Sequence, residues 1–332
     1  MIVVTGGTGF VGREICRRLA AEGLPTRALA RTPPPHSLPP GVEFFPADIT
    51  QPASLREAFR GAQAVIHCVG IIQQHGSQTF RHVHQDGTAH VVAAARASGI
   101  SRFLYLSALG TRPMAASQYH QTKWAAEEII RQSGLAFTLF RPSLIYGQGD
   151  AFTSLLASSM RPPLSWLSGG FLPLPGGANV ILRPVAVTDV ANTLVRSLGQ
   201  ASTIGQTLDL CGPETNLRDL ALAIARAMGL SPTWVDNTPD VILATLPWLW
   251  LTRRKPILFP VPLPLCRLFA AVAERILPHP PLTTDQILML EEGQVGDSSL
   301  ATKLLGFQPS PLSSNLSSYL APPAGGIADR RS

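Results

Sequence analysis

The sequence has little charge and no concentrated basic region. Charged residues make up 14% of its 332 positions, against roughly 25% in an average soluble protein. The arginines are scattered and form no basic stripe interleaved with aromatic residues, although the net charge is +6. Nucleic-acid binders usually carry such a stripe on one face. We therefore expect no nucleic-acid partner.

Cysteine pairs and long apolar runs are also absent. The four cysteines lie far apart and form no C-x-x-C pair, so reduced thiols in a cytosolic-type compartment are expected. They are Cys16, Cys68, Cys211 and Cys266. The most apolar stretch, 241–251, contains Pro247 and is shorter than the about 20 residues that a membrane span needs. The first expected strand begins beside Met1, so no targeting segment is expected ahead of it. These features predict a cytoplasmic location, with peripheral attachment to the inner face of a membrane as the alternative.

Proline and glycine are abundant, with 30 and 28 residues, and 45% of the chain is hydrophobic. That much proline and glycine does not suit a helical bundle, and that apolar content does not suit a disordered chain. The length suits one large domain or two coupled ones.

A glycine-rich turn opens the chain. The β-branched run Ile2 to Thr5 predicts a buried strand, and a helical pattern ending near Gly23 follows the turn Gly6-Gly7-Thr8-Gly9-Phe10-Val11-Gly12. Gly6 permits the tight turn, Gly9 lets a diphosphate approach the backbone, and Gly12 allows close helix packing. The diphosphate then meets free N–H groups at the positive end of the helix. This context predicts a dinucleotide site.

Two later residues bear on which dinucleotide is bound. A second strand, Thr26 to Ala30, ends at Arg31, where an acidic residue would suit the ribose of NAD. An arginine suits a 2′-phosphate, so Arg31, helped by Arg13, favours NADP(H) over NAD(H), with a merely solvated side chain as the alternative. Asp48 follows the third strand and is expected either to accept from an adenine amino group or to cap a helix.

The chain then repeats a strand-and-helix rhythm. Further strands are expected at 42–46, 64–69, 102–106 and 137–141, and helices at 79–98 and 119–133. Such alternation predicts a parallel sheet with helices on both faces. The loop 32–40 contains five prolines and is expected to be a stiff surface excursion.

The helix at 119–133 begins with Tyr119-His120-Gln121-Thr122-Lys123, a Tyr-x-x-x-Lys motif. About 0.04 chance matches are expected in a chain with four tyrosines and three lysines. A spacing of four puts both side chains on one face of the helix. A lysine ammonium there is expected to lower the pKa of the tyrosine and to hold the nicotinamide ribose, making the phenol a general acid or base.

Together these features resemble the short-chain dehydrogenase/reductase superfamily, in its extended or atypical branch, over about residues 1–230. Other motifs familiar from the extended members are listed here: Asp86-Gly87-Thr88, Glu127, Arg141-Pro142-Ser143, Tyr146-Gly147, Arg183-Pro184-Val185 and Val187-Thr188-Asp189-Val190-Ala191. The resemblance implies that Arg183 and Asp189 lie near the cleft between cofactor and substrate. For Asp189 a carboxylate at a helix N-terminus is an equal alternative.

The resemblance narrows to one atypical group. Ser107-Ala108-Leu109-Gly110, the compact stretch to Tyr119, and Pro281-Leu282-Thr283 with Asp285-Gln286 are similar to the nucleotide-binding accessory subunit of respiratory complex I and its bacterial relatives. That group implies tight NADPH binding without known turnover.

The resemblance implies an α/β fold: a Rossmann, doubly wound parallel sheet with a smaller C-terminal substrate-side lobe. The NAD(P)-binding domain is expected at 1–150, with its sheet completed by later segments, the lobe at 151–320, and a disordered tail at 321–332. The catalytic candidates are Tyr119, Lys123 and, with less support, Ser107. The residues expected to bind the cofactor are Gly6, Thr8, Gly9, Phe10, Val11, Gly12, Arg31, Asp48, Ile49, Val69, Gly70, Lys123 and Pro142.

The sequence departs from the enzyme pattern around the fifth strand. Extended members place a catalytic Ser or Thr where this chain has Ala108, and Ser107 comes one residue early. The gap from Ser107 to Tyr119 is about half of that expected for a sugar-nucleotide enzyme, and Ser117 is a candidate substitute donor. His84 replaces an asparagine and is expected to lose one structural hydrogen bond.

The remaining histidines do not predict a metal site. His82 and His84 lie two residues apart on a helix and face different directions, and His90 brings no carboxylate–histidine ligand set. His67 ends a buried strand and is expected to satisfy local backbone groups.

The C-terminal third has a strand at 207–210 and a helix at 216–228, which fit the smaller lobe. The segment 239–282 differs: Trp248 and Trp250 precede Arg253-Arg254-Lys255, and an amphipathic helix follows at 263–277. Tryptophans beside a basic triplet suit a membrane–water interface. A membrane surface or a respiratory-complex partner is one expectation for 239–282, and a lid or docking surface on the lobe is the other.

Three functions follow from these observations. The first is an NADP(H)-binding protein with weak or absent turnover, near respiratory or quinone chemistry. The second is an active reductase, epimerase or dehydratase that uses Tyr119 and Lys123. The third is a regulator that reads the redox state of NADP(H).

Overall fold

The computed structural model describes residues 1–34, 37–161, 171–234, 256–278, 280–293 and 295–321. Its strands are β1 (Ile2–Thr5), β2 (Thr26–Ala30), β3 (Val42–Pro46), β4 (Ala64–His67), β5 (Arg102–Leu106), β6 (Ala136–Pro142), β7 (Ile145–Tyr146), β8 (Phe171–Pro175), β9 (Ile181–Leu182), β10 (Val185–Ala186), β11 (Thr207–Leu210), β12 (Thr215–Asn216), β13 (Thr233–Trp234) and β14 (Ile257–Val261). Its α-helices are α1 (Phe10–Ala21), α2 (Pro52–Ala58), α3 (Gly87–Ala97), α4 (Gln118–Arg131), α5 (Ala151–Ser159), α6 (Val187–Ser197), α7 (Leu217–Ala227), α8 (Leu263–Ile276), α9 (Thr284–Glu291), α10 (Ser299–Leu305) and α11 (Leu312–Leu320).

The central sheet has seven parallel strands in the order β11-β6-β5-β4-β1-β2-β3. The chain moves outward from β1 in one direction and then restarts from β4 in the other. The carboxyl ends of β1 and β4 therefore lie side by side at the point where the strand order reverses, which is where open α/β sheets bind ligands. The fold class expected from the sequence is confirmed.

Helices cover both faces of this sheet. On one face α1 packs against α6, over a core that contains Val4, Ile15 and Leu194. On the other face α2, α3 and α4 pack in sequence, over a core that contains Val65, Phe103 and Ile130. Because both faces are covered, the inner strands are continuous apolar runs rather than alternating ones.

The smaller lobe has its own apolar core. Helices α5 and α11 pack on α7, and short sheets form from β8, β13 and β14, from β9 and β12, and from β7 and β10. The amphipathic face of α7 contributes Leu220 and Ile224 to the core of the lobe. Helices α8 and α9 form a hairpin with a small core of Cys266, Ala270 and Ile287. In this hairpin α9 also contacts α4, which carries Tyr119.

The elements expected from the sequence agree with the structure to within two residues at each end. The strand expected at 64–69 ends at His67, and the helix expected from residue 79 starts with a π-helical turn over Arg81–Asp86. The seventh strand of the main sheet comes from the later segment β11.

Some expectations fall outside the described residues: the tryptophans and basic triplet before β14, part of the proline-rich loop, and the tail after Ala321. Within the described part of the chain, no helix has the length and apolar character to cross a bilayer.

Candidate functional site

The glycine turn is built almost entirely from backbone. Gly6 has φ +72°, and its N–H donates to the Leu29 carbonyl at 2.8 Å. The Gly9 N–H donates back to the Gly6 carbonyl at 2.9 Å. A Cβ on Gly12 would lie 2.1 Å from the Gly6 carbonyl oxygen, so only glycine fits there. The turn thus brings the start of α1 against the end of β1.

The start of α1 suits an anion. Its N-cap is Gly9, no side chain caps it, and its first turn contains no acidic residue. The first backbone N–H groups and the positive end of the helix dipole therefore face outward without a competing carboxylate. Thr8 and Phe10 are half-buried, Gly9 is exposed, and Val11 packs against the core. These residues fit the diphosphate of a dinucleotide.

Residues on neighbouring strands border the turn. Val69 lies against it, since a Cβ on Gly6 would contact the Val69 Cγ2 at 3.2 Å. Arg31 is exposed immediately after β2. Arg13 is also exposed, and its guanidinium lies near Gly149.

Asp48 does not cap a helix, so that alternative is wrong. Its Oδ1 accepts from the Thr50 N–H at 2.9 Å and the Thr50 hydroxyl at 2.8 Å, while the N-cap of α2 is Gln51. The short side chain closes a local turn two residues on instead. Ile49 is buried, and its carbonyl oxygen contacts the Nδ1 of His90 at 2.9 Å.

Lys123 lies deep beside the ends of β4 and β5. The residue is only 3% exposed, and its Nζ donates to the Leu106 carbonyl at 3.0 Å. The ammonium also lies 4.9 Å from the centre of the Tyr105 ring, and a Cβ on Gly70 would come within 3.1 Å of it. Burial lowers the pKa of Lys123 from 10.5 to about 8, although Cys68 and Glu127 oppose the shift.

Tyr119 shows the opposite shift from the one expected. Loss of water around the phenol, followed by the nearby Asp285 carboxylate, raises its pKa from 10.0 to about 12. The expected lowering by Lys123 is therefore wrong. The ring meets His84 and His120 edge-on, at centroid distances of 5.3 Å and 5.2 Å. The phenol stays protonated at neutral pH.

Two carboxylates hold the start of α4. Asp285 lies in the first turn of α9, and Glu292 is the residue directly after α9. Asp285 accepts from the N–H groups of Gln118 at 2.7 Å and Tyr119 at 3.2 Å. Glu292 accepts from the Ala116 N–H at 2.5 Å and from the Ser117 hydroxyl at 2.9 Å. Such carboxylates satisfy N–H groups that a helix start leaves open.

Glu292 completes this clamp with an ion pair to Arg112 at 2.8 Å. The sequence pattern predicts a role for neither acid, although Asp285 lies in a motif that carries the family resemblance. No local pattern marks Glu292, because its partners are 175 or more residues away.

The candidate hydroxyls near Tyr119 are bound elsewhere. Ser107 donates to Glu127 at 2.6 Å, and Glu127 also pairs with Arg131 and Arg141. Ser117 is the N-cap of α4 and donates to Glu292. Ser117 is therefore not available as a substitute donor, and the role suggested for it is wrong.

The histidines differ from expectation in their partners. His67 hydrogen-bonds two side chains, Thr5 at 2.6 Å and Thr88 at 3.1 Å, rather than backbone, and burial lowers its pKa to about 3. His84 loses no hydrogen bond. Its Nε2 accepts from the Ile71 N–H at 3.0 Å, and its Nδ1 contacts the Thr122 hydroxyl at 3.0 Å.

The π-helical turn at Arg81–Asp86 carries His84. Turns of this kind occur often at functional sites. In the described residues, no group of three His, Cys, Asp or Glu side chains is placed to hold a metal ion.

The family motifs of the second half have structural partners. Pro142 is buried and its carbonyl accepts from the Leu109 N–H at 2.8 Å. Asp189 lies in the first turn of α6 and accepts from the Ser310 N–H and hydroxyl at 2.7 and 2.8 Å. The helix-start alternative for Asp189 is confirmed. Arg183 pairs with Glu214 at 2.8 Å.

A cleft of about 330 Å³ opens where β5, β6 and β11 end, on the side of α4 that faces Glu292. Arg112, Arg141, Asp209 and Glu292 supply its charged lining, and Val295 lies at its edge. Arg112 pairs with Glu292 inside this lining, Arg141 pairs with Glu127 behind it, and Asp209 accepts from the Asp297 N–H at 3.2 Å, so the lining holds two acids and two arginines.

Comparison with known proteins agrees with this geometry. A family model described as NAD(P)H-binding matches residues 6–154, which contain the glycine turn and the Tyr119–Lys123 pair. Over 167 residues the chain is 35% identical to a ceramide reductase of Caulobacter vibrioides, covering 49% of this chain and 52% of that protein.

Over 228 residues the chain is 28% identical to NADH dehydrogenase (ubiquinone) 1 alpha subcomplex subunit 9, mitochondrial, of Arabidopsis thaliana, covering 64% of this chain and 53% of that protein. The chain thus spans about half the length of these curated relatives. The fold is similar to the crystal structure of a nucleoside-diphosphate-sugar epimerase from Staphylococcus aureus, with a TM-score of 0.69, 19% identity, and coverage of 95% of this chain and 99% of that one.

Proposed function

We propose a function for this chain as a member of the extended, atypical branch of the short-chain dehydrogenase/reductase superfamily that binds a nicotinamide dinucleotide. In this proposal the chain favours NADP(H) and turns it over slowly or not at all. It works in respiratory or quinone-linked chemistry. The similarity to a mitochondrial NADH dehydrogenase subunit supports the respiratory setting.

The observation that carries the proposal is the state of Tyr119. A bound nicotinamide supplies or accepts a hydride, and the protein must then move a proton. A general acid or base works best with a pKa near the working pH. The Tyr119 phenol, with its pKa raised to about 12, is poorly matched to that task. Ser107 is bound to Glu127, and Ala108 has no hydroxyl, so the usual hydroxyl partner is lacking.

The choice of cofactor rests on Arg31 and on the glycine turn. The guanidinium lies exposed at the end of β2, beside the strand that leads into the turn. In this position a positive charge suits the 2′-phosphate of NADP(H), whereas an acid would suit the ribose of NAD(H). In this proposal Gly6, Gly9 and Gly12 seat the diphosphate, and Lys123 donates to the nicotinamide ribose.

The test begins with the ligand that copurifies with the full chain, identified by mass and by the absorbance of reduced nicotinamide. The dissociation constants of NADPH and NADH are then compared, and NADPH oxidation is followed with a panel of quinones and carbonyl compounds. Tight NADPH binding without oxidation supports the proposal. Rapid turnover that disappears in Tyr119→Phe overturns it.

A second function has an observation in its favour. Tyr119 and Lys123 share one helix, and the lowered pKa of Lys123 suits a group that exchanges protons. An active reductase, epimerase or dehydratase would place a substrate oxygen near 3 Å from the Tyr119 phenol. The same panel separates the two functions, because only this one predicts turnover that depends on Tyr119.

A further inference from the structure

The outer face of α8 carries a continuous apolar stripe. Its large side chains are between 43% and 71% exposed, and they recur at the spacing of one helical face. They are Leu265, Leu268, Phe269, Val272 and Ile276. The opposite face contributes Cys266 and Ala270 to the hairpin core with α9. The stripe is therefore a second apolar face that the hairpin does not use.

The charges around this stripe are arranged unevenly. The acid of α8, Glu274, turns toward α9 and accepts from the N–H and hydroxyl of Thr284 at 3.0 Å. Arg275 is exposed beside Ile276, and Arg267 is exposed beside Leu268 and forms an ion pair with Glu291. The sequence places Arg253-Arg254-Lys255 shortly before this hairpin, in a chain of net charge +6.

These features suit an anionic lipid surface better than a second copy of the chain. At roughly 200 Å² per fully exposed large side chain, the five residues, which are 43–71% exposed, offer roughly 560 Å² of apolar surface. This is less than the roughly 800 Å² that each partner gives to a stable interface. An amphipathic helix of 14 residues, about 21 Å long, instead lies flat in the headgroup region with its apolar face immersed and its cations near lipid phosphates.

We propose that the α8 stripe docks the protein on an anionic bilayer, as a helix that lies in the interface and does not cross it. The occupant is a membrane with negatively charged headgroups. Because α9 holds the start of the Tyr119 helix through Asp285, the docked hairpin also links the bilayer to the Tyr119–Lys123 pair. The proposal is independent of which nicotinamide dinucleotide is bound.

The test uses the full chain in flotation with vesicles of phosphatidylcholine alone and of phosphatidylcholine mixed with phosphatidylglycerol. We expect binding to the mixed vesicles and at least about tenfold weaker binding to the neutral ones, and we expect added salt to weaken it. The double variant Leu268→Ser/Phe269→Ser is expected to bind at least about tenfold more weakly than the parent. Ile204→Ser, at 43% exposure outside the stripe, is the matched control.

Thermal unfolding and NADPH affinity show whether the double variant is folded, since neither property should change. Equal binding of parent and double variant overturns the proposal, and so does equal binding to neutral and anionic vesicles. Light scattering measures the oligomeric state of the parent and the double variant. A parent dimer that the double variant converts to a monomer, without vesicle binding by either, would assign the stripe to a second copy of the chain.

Discussion

The glycine turn and the start of the Tyr119 helix are both helix N-termini at the carboxyl edge of the same sheet, yet they are built differently. The turn is formed by residues from the first two strands and the loop after β1, through backbone hydrogen bonds among Gly6, Gly9 and Leu29. The start of α4 depends on Asp285 and Glu292, which lie more than 160 residues further along the chain. One helix start is left open to an anion from outside, and the other is already occupied by the protein's own carboxylates.

That difference explains why the same physical feature serves two purposes. An uncapped helix start attracts negative charge from a ligand, whereas a start whose N–H groups already donate to two carboxylates is satisfied. The first arrangement favours cofactor binding. The second fixes the position of Tyr119 and, through Asp285, helps to keep its phenol protonated.

The largest effect is expected from a substitution that breaks the glycine turn. In Gly12→Ala the new Cβ would meet the Gly6 carbonyl at 2.1 Å, so the turn must open. We expect about 2–3 kcal/mol less stability and at least about 100-fold weaker NADPH binding. Chemical denaturation and fluorescence titration measure both. Gly199→Ala, where a Cβ meets nothing within 4 Å, should stay within about 1 kcal/mol of the parent. Unchanged NADPH binding in Gly12→Ala would show that the turn is not the diphosphate seat.

The next effect concerns the burial of Lys123. Its pKa is about 8 in the folded protein against 10.5 for an ordinary lysine. Between these values the unfolded chain binds more protons, so this group makes the folded state more stable as pH rises. The free energy of unfolding of the parent, relative to that of Lys123→Met, should therefore rise by about 3 kcal/mol from about pH 7 to about pH 11. Urea denaturation across this range measures it, with the exposed Lys303→Met as control. Parallel curves for the parent and Lys123→Met would contradict the assigned burial.

A smaller effect tests the clamp on the Tyr119 helix. Glu292→Gln removes the charge that accepts from Arg112, Ala116 and Ser117. We expect a loss of about 2 kcal/mol in the free energy of unfolding, because hydrogen bonds to a charged group are among the stronger ones. NADPH affinity should change little, since the glycine turn is separate. Glu214→Gln, at an exposed ion pair, should cost less than about 1 kcal/mol. If both variants were equally stable, the clamp would have no special role.

The smallest effect tests the cofactor preference. Arg31→Gln should weaken NADPH binding by about tenfold and leave NADH binding unchanged, since only NADPH carries the 2′-phosphate. Calorimetric titration with both dinucleotides measures this. The exposed Arg226→Gln on α7 should alter neither affinity. An equal loss for both dinucleotides, or no loss for either, would remove the support that Arg31 gives to NADP(H).

Much of the fold follows from local pattern. Apolar runs such as Ile2 to Thr5, the glycine turn and the periodic helices gave element bounds that agree with the structure to within two residues. The histidine partners could not be predicted in this way. His67 reaches Thr88, and His84 reaches Ile71 and Thr122, only after the sheet and helices have packed.

The pKa of Tyr119 is the clearest failure of local reasoning. The Tyr-x-x-x-Lys spacing places a cation one helical turn away and on that basis predicts a lowered pKa for the phenol. The sequence does not show how much water the fold removes from the phenol, or that Asp285 lies beside it. Both effects raise the pKa.

The sequence by itself determined the alternation of strands and helices, the glycine turn and the position of Tyr119 and Lys123 on one helix, because each depends on residues that are close together along the chain. Only the tertiary structure decided the hydrogen-bond partners of Ser107 and Ser117, the clamp by Asp285 and Glu292, and the exposure of the α8 stripe. These features depend on which distant surfaces meet and which groups lose water. A linear pattern does not record either.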